Sequence, residues 1–324
     1  MARKKKFKNN AGVQVLIGIV ALVAIAFLGN LHDTNLLDSL SEVVQTDSLE
    51  SVDNSNNTST VTNVDGDLII DYIDVGQADS ILIRQGDATM LIDGGTSECK
   101  DDLLAFLSDK NIDKFEYVVG THTHEDHIGS LDDVVNRYDF DTFLFPNTTA
   151  TTKTFENLVL AVQQKNKKFT VPQVGQEYSL GEAKFQILAP NGDDYSSANN
   201  YSIVIKLTYG SNTFLFTGDA ESISESEILD KGFNVSADVL KVGHHGSTTS
   251  TSKEFLDAVS PKYAVISVGK DNSYNLPTKT TMEKLQEKNI PVYRTDEQGT
   301  IECISDGTNI TFNVEPGSYA YMED

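Results

Sequence analysis

The stretch "THTHEDHIGS" (residues 121–130) places three histidines and an aspartate within six positions. The chain has six histidines in all, and a second pair, His244 and His245, lies far downstream. The remaining one is His32. Imidazole and carboxylate groups are ligands that Zn, Mn and Fe accept in proteins. The cluster therefore indicates a metal site, and the alternative is a solvated loop that binds metal adventitiously.

The surrounding pattern places these histidines on a loop that follows a buried strand. Residues 116–121 ("EYVVGT") have strand character, and 128–138 have the periodicity of a helix. In the H-x-H arrangement, His122 and His124 lie on the same side of an extended segment and can bind one cation. Asp126 and His127, just before the helix, can point to a second cation close by.

Two later predicted strands end in further ligand types. "FLFTGDA" ends with Asp219, whose carboxylate can bridge two metals, and "VLKVGHHGS" ends with His244 and His245. In isolation, such an aspartate is usually a turn residue or a helix N-cap, and a histidine pair is usually structural. In combination with the first cluster, these residues predict a site for two metals.

These motifs, in this order, resemble the metallo-β-lactamase superfamily. More narrowly, the sequence resembles the hydrolase domain of the DNA-uptake competence protein ComEC and its stand-alone relatives, over residues 67–314. The stretches that carry the narrower resemblance are "IDVGQADSILI", "MLIDGG", "THTHEDHIGS", "NNYSIVIKL", "FLFTGDA", "DVLKVGHHGSTTSTSKEFL", "YAVISVG" and "YRTDEQGTI". The resemblance implies an α/β fold, a four-layer αββα sandwich with the metals at one rim of its two sheets.

The resemblance also implies a role for each residue of the site. It gives six metal ligands: His122, His124, Asp126, His127, Asp219 and His244. The first two would hold one metal, and Asp219 would bridge it to a second metal that His244 completes. His245 would face the substrate as a catalytic residue beside Asp126. Asp93 in "LIDGG" would orient a ligand or, alternatively, would be a turn residue.

Three departures from the family pattern qualify these assignments. Many members have another histidine before the bridging aspartate, where this chain has "NNYS" (Asn199–Ser202). Without that imidazole, the first site should be weaker and less selective for Zn, so the predicted cofactors are two divalent ions, Zn or Mn. Leu276 stands where the competence pattern has a histidine, and Ala78 stands where glycine is usual.

Hydrolysis follows from two adjacent cations. A hydroxide held between them is nucleophilic at neutral pH, and the cations stabilise the charge that develops on the attacked group. Asp126 could accept the proton of the water. Backbone N–H groups of Gly246 and Ser247 could hold a phosphate, and Asn200 would lie near the substrate. Phosphodiesters are the substrates that the resemblance implies.

The first 29 residues predict a membrane anchor. Residues 1–10 form a basic tail with five Lys and Arg, and 11–29 are an apolar run long enough to span a bilayer. The basic flank should stay in the cytoplasm, which places the catalytic domain outside the cell as part of a single-pass membrane protein. The alternative is a cleaved signal peptide and a secreted protein, because Ala24-Ile25-Ala26 fits a cleavage pattern.

The rest of the chain divides into three parts. Residues 30–65 are rich in Ser, Thr, Asn and Asp, which predicts a flexible stalk. A hydrolase domain is predicted over 66–316, followed by a tail at 317–324. The two cysteines, Cys99 and Cys303, are too few for a thiolate metal site and are either bridged once or inert.

Charge limits the choice of substrate. Without the five basic residues of the tail, the chain has 20 Lys and Arg against 48 Asp and Glu, which does not suit a general polyanion binder. Four lysines flank the downstream motifs: Lys241, Lys253, Lys270 and Lys279. DNA nicking is one hypothesis, and a teichoic-acid, phosphocholine or nucleotide phosphodiesterase fits the charge as well. A non-catalytic surface binding protein with a relic metal site is the alternative from another class.

Overall fold

The computed structural model describes residues 44–45 and 66–321. Within these residues, sixteen strands alternate with eight α-helices. The strands are β1 (Val44–Gln45), β2 (Leu68–Tyr72), β3 (Ile81–Gln85), β4 (Ala88–Ile92), β5 (Lys114–Val119), β6 (Asp139–Leu144), β7 (Phe169–Thr170), β8 (Glu177–Leu180), β9 (Ala183–Ala189), β10 (Val204–Tyr209), β11 (Asn212–Phe216), β12 (Val239–Lys241), β13 (Tyr263–Ile266), β14 (Val292–Arg294), β15 (Ile301–Ser305) and β16 (Ile310–Phe312). The helices are α1 (Lys100–Asp109), α2 (Glu125–Ile128), α3 (Leu131–Arg137), α4 (Lys153–Gln164), α5 (Ser222–Asp230), α6 (Lys253–Val259), α7 (Lys279–Glu287) and α8 (Thr295–Gln298).

The strands form two mixed sheets. The first has the order β1-β7-β6-β5-β4-β3-β2-β15-β16, and the second has the order β14-β13-β12-β11-β10-β9-β8. Consecutive antiparallel strands, such as β3 and β4 or β10 and β11, are joined directly, and helical crossovers connect the parallel strands β4 to β7 and β11 to β14. The antiparallel pair of β2 and β15 instead joins the two ends of the domain.

Three apolar cores separate four layers, which confirms the αββα sandwich. The central core lies between the sheets and includes Tyr72, Phe185 and Phe214. Helices α1 to α4 cover the outer face of the first sheet through a second core, and helices α5 to α7 cover the second sheet through a third. Strands that are buried on both faces are apolar at successive positions, and the apolar stretches "FLF" and "VVG" therefore indicate strands in the sequence.

The sandwich brings the ends of several strands to one rim. The "THTHEDH" segment follows β5, Asp219 follows β11, and the histidine pair follows β12. An amide at Ile203, just before β10, donates to the Thr121 carbonyl at 3.0 Å and joins the two sheets at this rim. The fold therefore places all the predicted ligands on neighbouring loops.

Two segments outside the predicted domain bounds contact the sheets. Strand β1, inside the predicted stalk, pairs with β7 in parallel. After residue 316, the chain runs along the edge strand β14, where the Gly317 amide donates to the Val292 carbonyl at 2.7 Å. No helix within residues 44–45 and 66–321 is long and apolar enough to cross a membrane, and the predicted anchor at 11–29 lies outside the described residues.

Candidate metal centre

Four side chains from three loops converge on one point of the rim. They are Asp126, His127, Asp219 and His245, and each offers one ligand atom within 4.8 Å of the others. The His127 Nε2 atom lies 3.3 Å from Asp219 Oδ2 and 3.8 Å from Asp126 Oδ2. The His245 Nε2 atom lies 3.3 Å from Asp126 Oδ2. Two imidazoles and two carboxylates around one point form a donor set that suits Zn or Mn.

A second group shares Asp219 with the first. His122, His124 and Asp219 again offer ligand atoms within 4.8 Å of one another. His122 Nε2 lies 3.0 Å from His124 Nδ1 and 3.9 Å from Asp219 Oδ2. Because Asp219 belongs to both groups, its carboxylate has the position that a bridge between two cations requires.

The outer nitrogens of three imidazoles are fixed by hydrogen-bond acceptors. His245 Nδ1 donates to the Ser267 carbonyl at 2.9 Å, and His127 Nδ1 donates to Asp93 Oδ2 at 2.8 Å. The Thr121 hydroxyl donates to the same Asp93 oxygen at 2.8 Å, so it is left to accept from His122 Nδ1 at 3.1 Å. With each Nδ1 protonated, the Nε2 lone pair of each ring faces the centre, as in known metal sites.

Unpaired buried atoms show that this centre fits a cation. His127 Nε2 and Asp219 Oδ1 are buried and have no hydrogen-bond partner. Such groups cost free energy unless something pairs with them. A divalent cation would accept both lone pairs at once, so the residues present fit the metals that the motifs predict.

The charges within the cluster also favour a bound cation. Burial alone would lower the pKa of His127, but the surrounding carboxylates, with Asp219 foremost, raise it well above the ordinary histidine value. Burial would raise the pKa of Asp219, but His127 and His245 hold it well below its usual range. Burial and the neighbouring His127 lower the pKa of His122, which keeps that ring neutral. The cluster therefore favours positive charge between its carboxylates and a free lone pair on His122.

The structure places the two residues of the histidine pair at different depths. His245 is buried and joins Asp126, His127 and Asp219, whereas His244 is a quarter exposed, with its Nε2 3.6 Å from Asp219 Oδ2. The reason is a left-handed turn: the backbone φ is 51° at both residues. The turn reverses the direction of the chain after β12, so the second imidazole points inward, where an extended segment would present the first.

Asn200 and Ser247 are less available to substrate than the sequence suggested. Asn200 is buried, its amide nitrogen donates to Glu221 Oε2 at 2.9 Å, and its oxygen accepts the Glu221 amide. The Ser247 amide donates to the His244 carbonyl at 2.8 Å, so it is already engaged within the loop. Both residues therefore shape the rim through these contacts.

Gly246 and Leu276 pack at the base of the downstream loop. A Cβ on Gly246, whose φ is 85°, would lie 2.6 Å from Pro277 Cβ. The Gly246 carbonyl accepts from the Thr278 amide at 3.0 Å. Leu276, which replaces the histidine of the family pattern, is buried in the outer core of the second sheet. These contacts hold the turn that carries His245.

Thr121, Asp79 and Lys241 belong to the centre but were not singled out as site residues. Thr121 links Asp93 to His122, as described above. Asp79 and Lys241 form an ion pair of 3.0 Å behind His245. In the sequence, Asp79 and Lys241 are indicated only by their positions in the family-like stretches "VGQADS" and "VLKVGHH". An aspartate or a lysine at such a position does not indicate metal chemistry by itself.

Comparisons with known proteins agree with this geometry. Residues 73–270 match the family model described as the metallo-beta-lactamase superfamily. ComE operon protein 3 of Bacillus subtilis (strain 168) is 31% identical over 265 residues, which are 76% of this chain and 34% of that protein. Competence protein ComA of Neisseria gonorrhoeae is 29% identical over 231 residues, 71% of this chain and 31% of that protein. The chain thus spans about a third of the length of these curated relatives.

A solved structure shows the same fold. The CmlA beta-hydroxylase E377D mutant aligns with a TM-score of 0.50 and 15% identity, over 70% of this chain and 52% of that one. Taken together, the two-sheet sandwich, the ligand cluster at its rim and the family match show that this chain belongs to the metallo-beta-lactamase superfamily, with competence proteins of the ComEC type among its relatives.

Proposed function

We propose that this domain is a phosphodiesterase that binds two divalent cations at the rim of the sandwich and works on the outer side of the cell membrane. The observation that carries the proposal is the convergence of four imidazoles on one bridging carboxylate, with the outer nitrogens of three of them fixed so that Nε2 faces inward. Such an arrangement does not suit a structural core, since it buries His127 Nε2 between two carboxylates without a hydrogen bond.

The proposed ligands divide between two sites. His122, His124 and Asp219 would hold the first cation, and Asp126, His127, Asp219 and His245 would hold the second. When bound, two such cations make water acidic enough to attack at neutral pH and stabilise charge on the attacked group. The first site has three protein ligands among the described residues, so we propose that it is the weaker one and that Mn can serve there.

The protein contributes orientation and a proton acceptor. Asp93 and the Ser267 carbonyl hold the His127 and His245 rings in place. Asp126 is a third exposed at its side chain, which makes it the carboxylate that reaches solvent and substrate. Burial would raise the pKa of Asp126, but His127 and His245 hold it well below its usual range, so the group is ionised at neutral pH and is a weak proton acceptor.

Charge argues for phosphodiesters that are small or are delivered by a partner. Lys241 is fully buried and paired with Asp79, so it cannot reach a phosphate. Lys253 lies 2.6 Å from Asp257, and Lys279 lies 3.7 Å from Glu283. With 48 Asp and Glu in the chain, we propose that it binds free DNA weakly even though its relatives include proteins named for competence.

Hydrolysis of bis-p-nitrophenyl phosphate by the purified full chain tests the proposal. The chain would be stripped of metal, dialysed and reloaded with Zn or Mn before the assay. We expect metal-dependent release of nitrophenol that salt hardly affects, and its loss in an Asp219→Asn variant. A matched control is Asp257→Asn, which removes a carboxylate that pairs with Lys253 and Lys288 instead. Tight metal binding without hydrolysis of any phosphodiester would favour the non-catalytic binding protein.

Two further measurements address substrate and location. Submicromolar DNA binding with a steep salt dependence would contradict the expected weak affinity and restore the competence-nuclease hypothesis. Protease added to intact cells should remove the domain if the basic tail keeps residues 1–10 inside. Protection of the domain in intact cells would reverse the proposed orientation, and a secreted species that starts near residue 27 would favour signal cleavage.

A further inference from the structure

Behind the candidate metal centre lies a fully buried ion pair. Lys241, the last residue of β12, has no exposed side-chain surface, and Asp79 is 2% exposed. Their Nζ and Oδ2 atoms are 3.0 Å apart. Lys241 Nζ also donates to the Val242 carbonyl at 3.0 Å. Burial of two charges costs more free energy than an apolar pair of the same size, so stability alone does not explain this arrangement.

The other end of the Asp79 carboxylate faces the centre. Asp79 Oδ1 lies 3.4 Å from His245 Nδ1 and has no hydrogen bond of its own. The Asp79 amide donates to the Asp126 carbonyl at 3.1 Å. One residue therefore contacts the imidazole of one candidate ligand and the backbone of another.

The other buried imidazole of the second site, His127, also has a carboxylate beside its Nδ1 atom. Asp93 accepts from His127 Nδ1 at 2.8 Å, and its other oxygen accepts the Thr121 amide at 2.8 Å. Each buried imidazole of the second site thus has a carboxylate behind its Nδ1. The difference is that Lys241 balances the charge of Asp79, whereas backbone and hydroxyl donors satisfy Asp93.

We infer that Asp79 and Lys241 are positioning residues that hold the His245 ring with Nδ1 protonated and Nε2 directed to the second cation. The inference rests on the proposed function only in that His245 binds the cation. Lys241 fixes one oxygen of the carboxylate, which leaves the other oxygen against the imidazole. Without the pair, the Ser267 carbonyl would be left as the hydrogen-bond acceptor at Nδ1 of a ring that sits on a left-handed turn, with Asp126 on its Nε2 side.

The test compares metal affinity in full-length variants. The double variant Asp79→Asn/Lys241→Met removes both charges together and so avoids leaving one buried charge alone. Loss of an outer partner of a metal-binding histidine typically weakens metal binding about 10–100-fold. We expect a loss of that size at one of the two sites, measured with Zn and a chromophoric chelator in competition. The matched control is Glu225→Gln, which alters a buried carboxylate that contacts the Thr251 and Ser252 amides instead.

A second measurement keeps the test valid if the double variant does not fold. Asp79→Asn alone keeps an oxygen for Lys241 but turns an NH2 group toward His245, which disfavours the Nδ1–H form. Nitrogen-15 NMR of the metal-free chain should show the Nδ1–H tautomer of His245 in the wild type and a shift away from it in this variant. An unchanged tautomer, or wild-type Zn affinity in the folded double variant, would overturn the inference. If the wild-type chain binds Zn but hydrolyses no phosphodiester, only the proposed function is refuted, and the inference about Asp79 and Lys241 is unaffected.

Discussion

Replacing each residue of the histidine pair by alanine distinguishes the two possible ligands. The structure places His245 within the Asp126, His127 and Asp219 group and leaves His244 outside it. Both residues have a backbone φ of 51°, so His244→Ala and His245→Ala place the same side chain in the same left-handed conformation. A residue with a Cβ pays about 1–2 kcal/mol for this backbone conformation, whether it is histidine or alanine. The backbone conformation therefore contributes nothing to the difference between the two variants.

The expected magnitudes follow from the contacts of each ring. Loss of a residue that only supports a ligand weakens metal binding about 10–100-fold, and loss of the ligand itself should exceed that range. We therefore expect His245→Ala to weaken Zn binding at the second site by more than about 100-fold, or about 2.8 kcal/mol. His244 contributes a contact of 3.0 Å to the Thr249 hydroxyl and lies 3.6 Å from Asp219. Its removal should change Zn affinity by less than about tenfold.

Competition with a chromophoric chelator measures these affinities, and elemental analysis after gel filtration counts the metals that remain bound. Circular dichroism of both variants confirms that they are folded before the comparison is made. A larger loss in His244→Ala than in His245→Ala would refute the reasoning, because it would mean that the left-handed turn does not direct the second imidazole inward. Equal losses would mean that both rings reach the centre.

Three other predictions concern stability, thiol chemistry and proton linkage. Gly129→Ala should reduce the free energy of unfolding by about 3 kcal/mol or more, because the added Cβ would lie 2.4 Å from the Ser97 amide nitrogen. Gly76→Ala is the matched variant: its Cβ meets no atom within 4 Å, so only the positive φ should cost stability, about 1–2 kcal/mol. Urea unfolding measures both, and equal costs would contradict the packing argument. Burial raises the pKa of the Cys99 and Cys303 thiols, so both should react slowly with Ellman's reagent at pH 8 until guanidinium is added; rapid reaction of the native chain would contradict this. The pKa of His127 is raised well above its ordinary value, so this imidazole is protonated at pH 7 in the metal-free chain. Zn binding at pH 7 should therefore release a proton from His127, and this release should disappear at a pH above the raised pKa. Calorimetry in buffers of different ionisation heat detects the release, and heats that do not depend on the buffer would contradict it.

The fold class and the rim that carries the histidines could be predicted from the order of the motifs along the chain. The strand predicted at 116–121 and the helix predicted at 128–138 are found at Lys114–Val119 and Leu131–Arg137, because apolar periodicity distinguishes the two kinds of element. The clustered histidines could be assigned to a rim because they follow an apolar strand, and the carboxyl ends of parallel strands share an edge. Local pattern and topology were sufficient for this much.

Which imidazole joins the centre, and which groups hold it, depends on contacts between distant segments of the chain. Two adjacent histidines look equivalent in the sequence, and the choice between them depends on a left-handed turn that no periodicity indicates. Asn200 looked like a substrate contact, but its partner Glu221 lies 21 residues away and turns it inward. The ion pair between Asp79 and Lys241 joins the loop between β2 and β3 of the first sheet to strand β12 of the second. Such contacts arise only when distant segments pack together, because burial and the need to pair every polar atom are properties of the folded chain.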